Sequence, residues 1–304
     1  MKYETWLTRW LEDDVRTSAH PRTHQRYAQI ARLHLSDALK ETELDAVTPA
    51  QLKETVAALL RSGNRKTGGG LSTGSVNGVI TVLRDSFAAA CRLGLIADSP
   101  ADRLTRPKRR EKPVGCFTAA EQKVIEAAVQ SSKKPKMQGI LLCLYTGLRI
   151  GELLALRWQD IDFEKSLLIV SHTSRDTENG IVLEDPKTET SRRVIPLPRQ
   201  LLPRLRSLKK SSHSDFVVAN GDQPLLIRSY QRSFELLLKK LHIQHRGFHA
   251  LRHTFATRAL ECGMDVRTLS EILGHRNPTV TLNRYAHSLL EHKREMMNRL
   301  GRNL

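Results

Sequence analysis

Six side chains in this chain could together break a phosphodiester. His249-Ala-Leu-Arg252-His253 is followed by Leu273-Gly-His275, and then by Tyr285 within Thr281-Leu-Asn-Arg-Tyr-Ala-His287. Upstream lie Thr146-Gly-Leu-Arg149-Ile-Gly-Glu152 and Pro186-Lys187-Thr188, the latter beside Ser191-Arg-Arg-Val-Ile-Pro-Leu197. Two Arg, one Lys, two His and one Tyr are what metal-free transesterification of a phosphodiester needs. The two non-bridging oxygens gain charge as a fifth oxygen approaches phosphorus. Guanidinium forks match those oxygens bidentately and do not lose their charge. Aimed at developing charge, they are the largest lever available without a metal. A tyrosine hydroxyl can attack and hold the phosphate covalently, which splits one hard step into two. Its ordinary pKa is about 10, so a nearby base or cationic surroundings must assist. The leaving 5′ oxygen wants a proton, which Lys or His can give.

Each fragment by itself fits a plainer use. Arg149 could simply pair with Glu152 one turn later. His249 and Arg252 share one face of a predicted helix, where such residues are often surface groups. His275 follows Gly274 at a helix end, where histidine caps carbonyls. Tyr285 could be a packed ring, and Lys187 has Lys165, Arg175, Arg192 and Arg193 as neighbours equal to it in charge. What sets the group apart is its order, with Leu-Gly-His ten residues before the tyrosine.

In that order the set resembles the tyrosine recombinase (phage integrase) family, from about Trp6 to Tyr285. The family pattern is Arg, Lys, His-x-x-Arg, His and Tyr, and all six positions are filled. The resemblance implies that Arg149 and Arg252 grip the scissile phosphate and that Lys187 is the general acid. It also implies that His249 assists the tyrosine proton, that His275 hydrogen-bonds the phosphate and that Tyr285 is the nucleophile. Pro186 to Arg193 and Thr281 to His287 look like the integrases of transposons and phages; the Gly-Lys-Gly pattern of Xer-type resolvases is absent. The implied activity is site-specific cutting and rejoining of DNA through a 3′-phosphotyrosyl intermediate, integrating and excising a mobile element without metal, ATP or another cofactor. The implied partners are double-stranded DNA with paired core sites, a homotetramer on two such sites, and accessory excision or bending factors, in the bacterial cytosol or nucleoid. A type IB topoisomerase shares much of this chemistry but needs one protomer. A regulator that kept the fold without cutting would not need the intact set.

Composition agrees with a nucleic-acid partner. The 304 residues suffice for two domains with sizeable cores. The net charge of +17 implies a polyanion. No apolar run approaches the roughly 20 residues of a membrane-spanning helix, and the start of the chain passes straight into an amphipathic helix. Cys91, Cys116, Cys143 and Cys262 are scattered, with no Cys-x-x-Cys and no zinc spacing. Apolar neighbours predict Cys91 and Cys143 as small core residues in a reducing compartment. Lys66-Thr-Gly-Gly-Gly70 reads as a turn between helices, because the Lys-Ser/Thr of a nucleotide loop is missing.

The elements that must position these groups fall in two parts. The expected architecture is mainly α: a helical core-type DNA-binding domain over 1–107, a basic linker over 108–115, and a mixed α+β catalytic domain over 116–287 with a small three-stranded antiparallel sheet. A C-terminal helix over 288–304 follows, with Leu289, Leu290, Met296, Met297 and Leu300 as an apolar stripe. Such terminal helices in the resembling family often dock on a neighbouring protomer; packing on its own domain is the alternative. Trp6, Leu7, Trp10, Leu11 and Val15 lie at helical spacing. Further helices are predicted from Arg22 to Leu39, from Thr48 to Leu60 and from Val76 to Leu93. Thr48-Pro-Ala-Gln51 and Thr118-Ala-Ala-Glu121 are capping boxes. Pro residues punctuate the charged run from Ser99 to Pro113, where Arg106, Lys108, Arg109 and Arg110 could lie along a duplex. In the second part, strands are predicted over 167–173, 181–186 and 192–198, with Lys187 at the turn between the last two. Helices then resume and place His249 and Arg252 on one face.

Overall fold

Tyr3, Trp6 and Trp10 are buried in the core of the first unit. In the computed structural model, which describes residues 1–108, 115–132, 134–177, 180–185, 192–275, 277, 279, 294, 297–298 and 300–302, contacts divide the chain into Met1–Lys112 and Pro113–Leu304. Helix α1 (Tyr3–Trp10) runs through a π-helical turn, Leu11–Val15, into α2 (Arg16–Ser18). Its expected stripe, Trp6, Leu7, Trp10, Leu11 and Val15, is buried. Tyr3 stacks on Phe87, ring centroids 4.7 Å apart. The polar ends of these aromatics are satisfied inside. The Tyr3 hydroxyl shares a 2.9 Å hydrogen bond with Ser86 Oγ, and Trp6 Nε1 donates to the Ser86 carbonyl at 3.1 Å.

The helix expected over Arg22 to Leu39 is two helices, α3 (Pro21–His34) and α4 (Asp37–Glu41). Leu35 is extended, and Ser36 Oγ accepts from Leu39 N at 3.3 Å. A serine that bonds nearby backbone N–H groups starts a new helix more readily than it continues an old one. Helix α5 (Pro49–Ser62) begins with the predicted box: Thr48 N donates to Gln51 Oε1 at 2.8 Å, and Gln51 N donates to Thr48 Oγ1 at 3.3 Å. Helix α6 (Thr73–Arg92) starts three residues before the expected Val76, capped by Ser72. Cys91 is half-buried rather than a core residue, whereas Cys143 is buried as expected.

The Pro-punctuated run packs for most of its length. Ala101 and Leu104 are buried in the core of the first unit. Arg84 donates to the carbonyls of Asp102 and Leu104. Arg106 donates to Thr81 Oγ1 at 3.2 Å, and Asn77 Nδ2 to the Pro107 carbonyl at 3.4 Å. Proline stops a helix but does not stop an intervening leucine from burying its side chain. Arg106 and Lys108 are exposed; Arg109 and Arg110 lie outside the described residues.

The second unit opens with α7 (Ala119–Gln130), which carries the second predicted capping box. Helix α8 (Gln138–Thr146) is almost wholly buried, as its unbroken apolar sequence requires. Helix α9 (Ile150–Ala155) follows, then β1 (Ile161–Asp162), β2 (Leu167–Val170), β3 (Thr173–Thr177), β4 (Gly180–Glu184) and β5 (Arg193–Pro196). Next come α10 (Leu202–Lys210), the short pair β6 (Ala219–Asn220) and β7 (Gln223–Pro224), and the helices α11 (Ile227–Lys240), α12 (His249–Glu261) and α13 (Val266–Leu273). Among the described residues, no helix is long and apolar enough to cross a membrane.

A three-stranded antiparallel sheet is present, but its members differ from expectation. Its order is β1-β2-β5, with Leu168 opposite Ile195. The predicted middle strand pairs instead with β3 in a separate hairpin, Thr173 opposite Glu184. The expected strand over 167–173 is cut at Ser171 and His172. Its last residue begins β3, which pairs with its nearest neighbour in sequence. Residues 186–191, with Lys187, lie outside the described residues, as do 280–293 with Tyr285, Leu289 and Leu290. Of the C-terminal stripe, Met297 and Leu300 are described, and both are exposed.

Burial of Leu104 makes a definite expectation. Leu104→Ala should destabilise the first unit by about 2–4 kcal/mol, the usual cost of emptying a leucine site. Limited trypsin digestion of the full chain should then cut faster after Arg103. Unchanged protection would show that this segment is not held by its leucine.

Candidate active site

The site is built on the end of one short helix. At the C-terminus of α13 the last carbonyls have no helical partner and sit at the negative end of the helix dipole. Three guanidinium groups take them in turn. Arg193 Nε donates to the Ile272 carbonyl at 2.6 Å, Arg252 to Leu273 at 2.7 Å, and Arg149 to Gly274 at 3.2 Å. Gly274 adopts a left-handed φ of 64°, and the N–H of His275 turns back to the Ser270 carbonyl at 3.0 Å. This is the helix ending that Leu273-Gly-His275 encodes. It delivers His275 directly beside the guanidiniums.

Arg252 lies at the centre. It is only 2% exposed, and it donates to the Gly147 carbonyl at 2.7 Å as well as to Leu273. Its Nη2 is 2.9 Å from His275 Nε2. A guanidinium has no acceptor, so Nε2 is the acceptor in this contact. Gly147 makes the close approach between α8 and α12 possible. Its φ is +68°, and a Cβ there would lie 2.6 Å from the Phe255 ring and 2.8 Å from Leu273. The left-handed turn at Gly147 also sets Arg149 just before α9.

Arg149 does make the ion pair with Glu152 that its spacing allows, Nη1 to Oε1 at 2.7 Å. The same guanidinium reaches Gly274, and its side chain stays 37% exposed. The pairing is therefore part of the site. The Arg149 backbone N–H also donates to Glu152 Oε2 at 2.8 Å. Glu152 in turn accepts a two-pronged contact from Arg193, Nη1 to Oε1 at 3.0 Å and Nη2 to Oε2 at 2.9 Å. Burial pushes the Glu152 carboxyl up, but the hydrogen bonds and charge of Arg193, with Arg149 beside it, outweigh burial and hold it at about 2.

Arg149, Arg252 and His275 are thus brought into one contact network. His249 is exposed at the first turn of α12, one turn before Arg252, with its ring edge-on to His253 at 4.5 Å. Glu152 and Arg193 are the members that sequence reasoning did not assign. Arg193 was visible only as one basic neighbour of Lys187. The alternation along β5 carries the missed signal, since Arg193 falls in phase with buried Ile195 and Leu197.

The phage integrase family model matches residues 117–292, and a phage integrase N-terminal SAM-like model matches residues 2–60. The chain belongs to the phage integrase family. Among its relatives is a XerC-like tyrosine recombinase of Caldanaerobacter subterraneus subsp. tengcongensis. It is 28% identical, over 96% of this chain and 81% of that protein. The transposase of transposon Tn916 from Enterococcus faecalis is also 28% identical, over 91% of this chain and 74% of that one. A solved structure of the Tn1549 transposon integrase in complex with a circular intermediate DNA matches with a TM-score of 0.83 at 26% identity. It covers 99% of both chains. The mainly helical fold with small antiparallel sheets is therefore that of an integrase.

The depressed Glu152 carboxyl has a consequence for stability. An unfolded chain takes up its proton near 4.5, the folded one only near 2. Glu152 contributes stability in full above about 4.5, on the order of 3 kcal/mol, and this is lost as pH falls through that window towards 2. Denaturant unfolding at pH 6 and pH 3 should show a smaller loss for Glu152→Gln than for the wild type. Equal losses would place the acid sensitivity elsewhere.

Proposed function

We propose that this integrase cuts and rejoins DNA at specific sites through a 3′-phosphotyrosyl intermediate, inserting and excising a mobile element. The observation that carries the reading is the convergence of Arg149, Arg252 and His275 on the C-terminal end of α13. That end presents cationic donors at one point, as a phosphodiester requires. Arg149 is the accessible donor. Arg252 lies beneath it and meets a phosphate only as the groups covering it move aside.

In the proposed reaction the Tyr285 oxygen attacks phosphorus while its proton passes to His249 or a neighbouring base. The bond from phosphorus to the 5′ oxygen breaks, and Lys187 gives that oxygen a proton. Arg149, Arg252 and His275 hold the non-bridging oxygens. Rejoining runs the same steps backwards with the 5′ hydroxyl of another strand. The phosphotyrosine bond keeps the energy of the broken phosphodiester, so ATP is not needed. The guanidiniums supply the charge that a metal would otherwise bring. Exchange between two duplexes breaks four strands, which calls for four copies of the chain on paired core sites. Excision or bending factors would set direction. Arg106, Lys108, Arg109 and Arg110 would follow the backbone of the bound duplex, and the whole would act in the bacterial cytosol or nucleoid.

Tyr285→Phe should bind duplex DNA and form no covalent adduct, in the presence or absence of EDTA. The wild type incubated with a nicked duplex should yield a peptide with a 3′ phosphate on Tyr285. An adduct on a different tyrosine, or loss of cleavage in EDTA, would overturn the mechanism.

Lys187 is tested by the leaving group. A thiolate leaves readily without a proton. Lys187→Ala should cleave natural DNA about 10²–10⁴-fold more slowly, as is typical of lost acid help. On DNA with sulfur at the bridging 5′ position it should approach the wild-type rate. Arg149→Ala should stay defective on both. Equal impairment of Lys187→Ala on both substrates would make Lys187 a phosphate clamp instead.

A further inference from the structure

Arg193 has no part in the reaction as drawn, yet it is among the most deeply placed cations of the second unit. Its side chain is 6% exposed. It reaches from β5 to two other elements: a two-pronged pair with Glu152 on α9, and a hydrogen bond to the Ile272 carbonyl in the last turn of α13. Residues 186–191, with Lys187, immediately precede this strand. One planar fork therefore ties the base of the Lys187 segment to the element that starts with Arg149 and to the helix end that carries His275. Such rigid two-pronged geometry suits arginine and not lysine. Gly274 confirms how closely the group is seated: a Cβ there would lie 3.0–3.3 Å from the Arg193 side chain.

We infer that Arg193 is a positioning residue for phosphate recognition, holding Glu152 so that Arg149 and the Gly274–His275 turn present their donors at one point. The inference rests on the recombinase reading above. The physical reason lies in how Glu152 is shared. With Arg193 present, each carboxylate oxygen accepts from both sides, and the Arg149 Nη2 is left aimed at Gly274. Without Arg193, the buried carboxyl group has only Arg149 to answer it. Arg149 is then drawn inward, and the field at the phosphate becomes more negative. Arg193 is too deeply placed to touch the phosphate itself in this arrangement, so its effect must pass through Arg149 and α13.

The test uses cleavage of a nicked duplex by the full chain, on natural DNA and on DNA whose scissile phosphate carries a methyl group in place of one non-bridging oxygen. The methyl group removes the phosphate charge, and with it the need for accurately placed guanidiniums. Arg193→Gln should bind duplex within about twofold of wild type and cleave natural DNA about 10²-fold more slowly, the scale of a small misplacement of a reacting group. On the uncharged phosphate its deficit should shrink at least tenfold, as should that of Arg149→Ala. A deficit of the same size on both substrates would make Arg193 merely structural, and wild-type cleavage of natural DNA would remove it from the site. If Arg193→Gln does not fold, Arg193→Lys, which keeps a cation beside Glu152 but not the two-pronged geometry, is read in the same way. Absence of any adduct with the wild type would instead refute the recombinase reading.

Discussion

One buried carboxylate makes the cationic site possible. Arg149, Arg193 and Arg252 all donate to consecutive carbonyls at the end of α13. Three guanidiniums at one helix end would repel one another strongly away from water. Glu152 accepts from two of them, and the helix carbonyls absorb part of the remaining field. A buried ion pair of this kind adds little net stability over an apolar replacement, because desolvation cancels much of the attraction. What it fixes is arrangement. Arg149, His275 and the strand that follows the Lys187 segment are all referred to the same two oxygens.

The glycines follow from this constraint. The elements must approach closely enough for side chains of ordinary length to meet, and at Gly147, Gly151 and Gly274, beside the site, there is no room for a Cβ without movement. At Gly147 it would strike Phe255 and Leu273, and at Gly151 it would lie 2.5 Å from Thr173 Oγ1 and 2.9 Å from the Ser174 carbonyl. At Gly274 it would crowd Arg193. Gly147 brings α8 against α12, and Gly151 brings α9 against β3. Gly147 and Gly274 also have the left-handed backbone that an alanine adopts only under strain. Thr146-Gly-Leu-Arg-Ile-Gly-Glu152 is thus a packing motif as much as a chemical one: its charged residues work because its small ones let the helices close.

Much of this was legible in the sequence, and the division between what was and was not has a physical basis. The two capping boxes, the buried stripe of α1, the turn at Gly147 and the ending at Gly274 depend on neighbours within a few residues. Local patterns encode them fully. Ser36 is a local signal that was passed over, which is why α3 and α4 were expected as one helix. Strand pairing is different. β2 could pair with either later strand by hydrophobic pattern, and only the hairpin of β3 and β4 decides it. The packing of Ala101 and Leu104 under a Pro-rich run, and the meeting of Arg193 with Glu152 across 41 positions, depend on tertiary approach. For Arg193, the alternation of β5 points inward, in phase with buried Ile195 and Leu197, while its charge alone does not distinguish it from the other basic neighbours of Lys187.

The charge balance of the site also argues about which state it is built to hold. Three guanidiniums less one carboxylate leave two positive charges where α13 ends, and Glu152 stays ionised at neutral pH because its carboxyl is held at about 2. A phosphodiester carries one negative charge. As a tyrosine oxygen adds to phosphorus and before a proton reaches the leaving oxygen, the reacting group approaches two. Under the recombinase reading the site is therefore matched to the crowded phosphorus and not to the resting diester, which is the condition for binding to become rate. Loss of the Glu152 charge would raise the local excess to three. That would hold the resting DNA more tightly while releasing Arg149 and Arg193 from their shared anchor, so tighter binding would come with poorer geometry. Under that reading, keeping the acid limits the net charge and fixes the donors at once, which accounts for an anion in the middle of a cationic site.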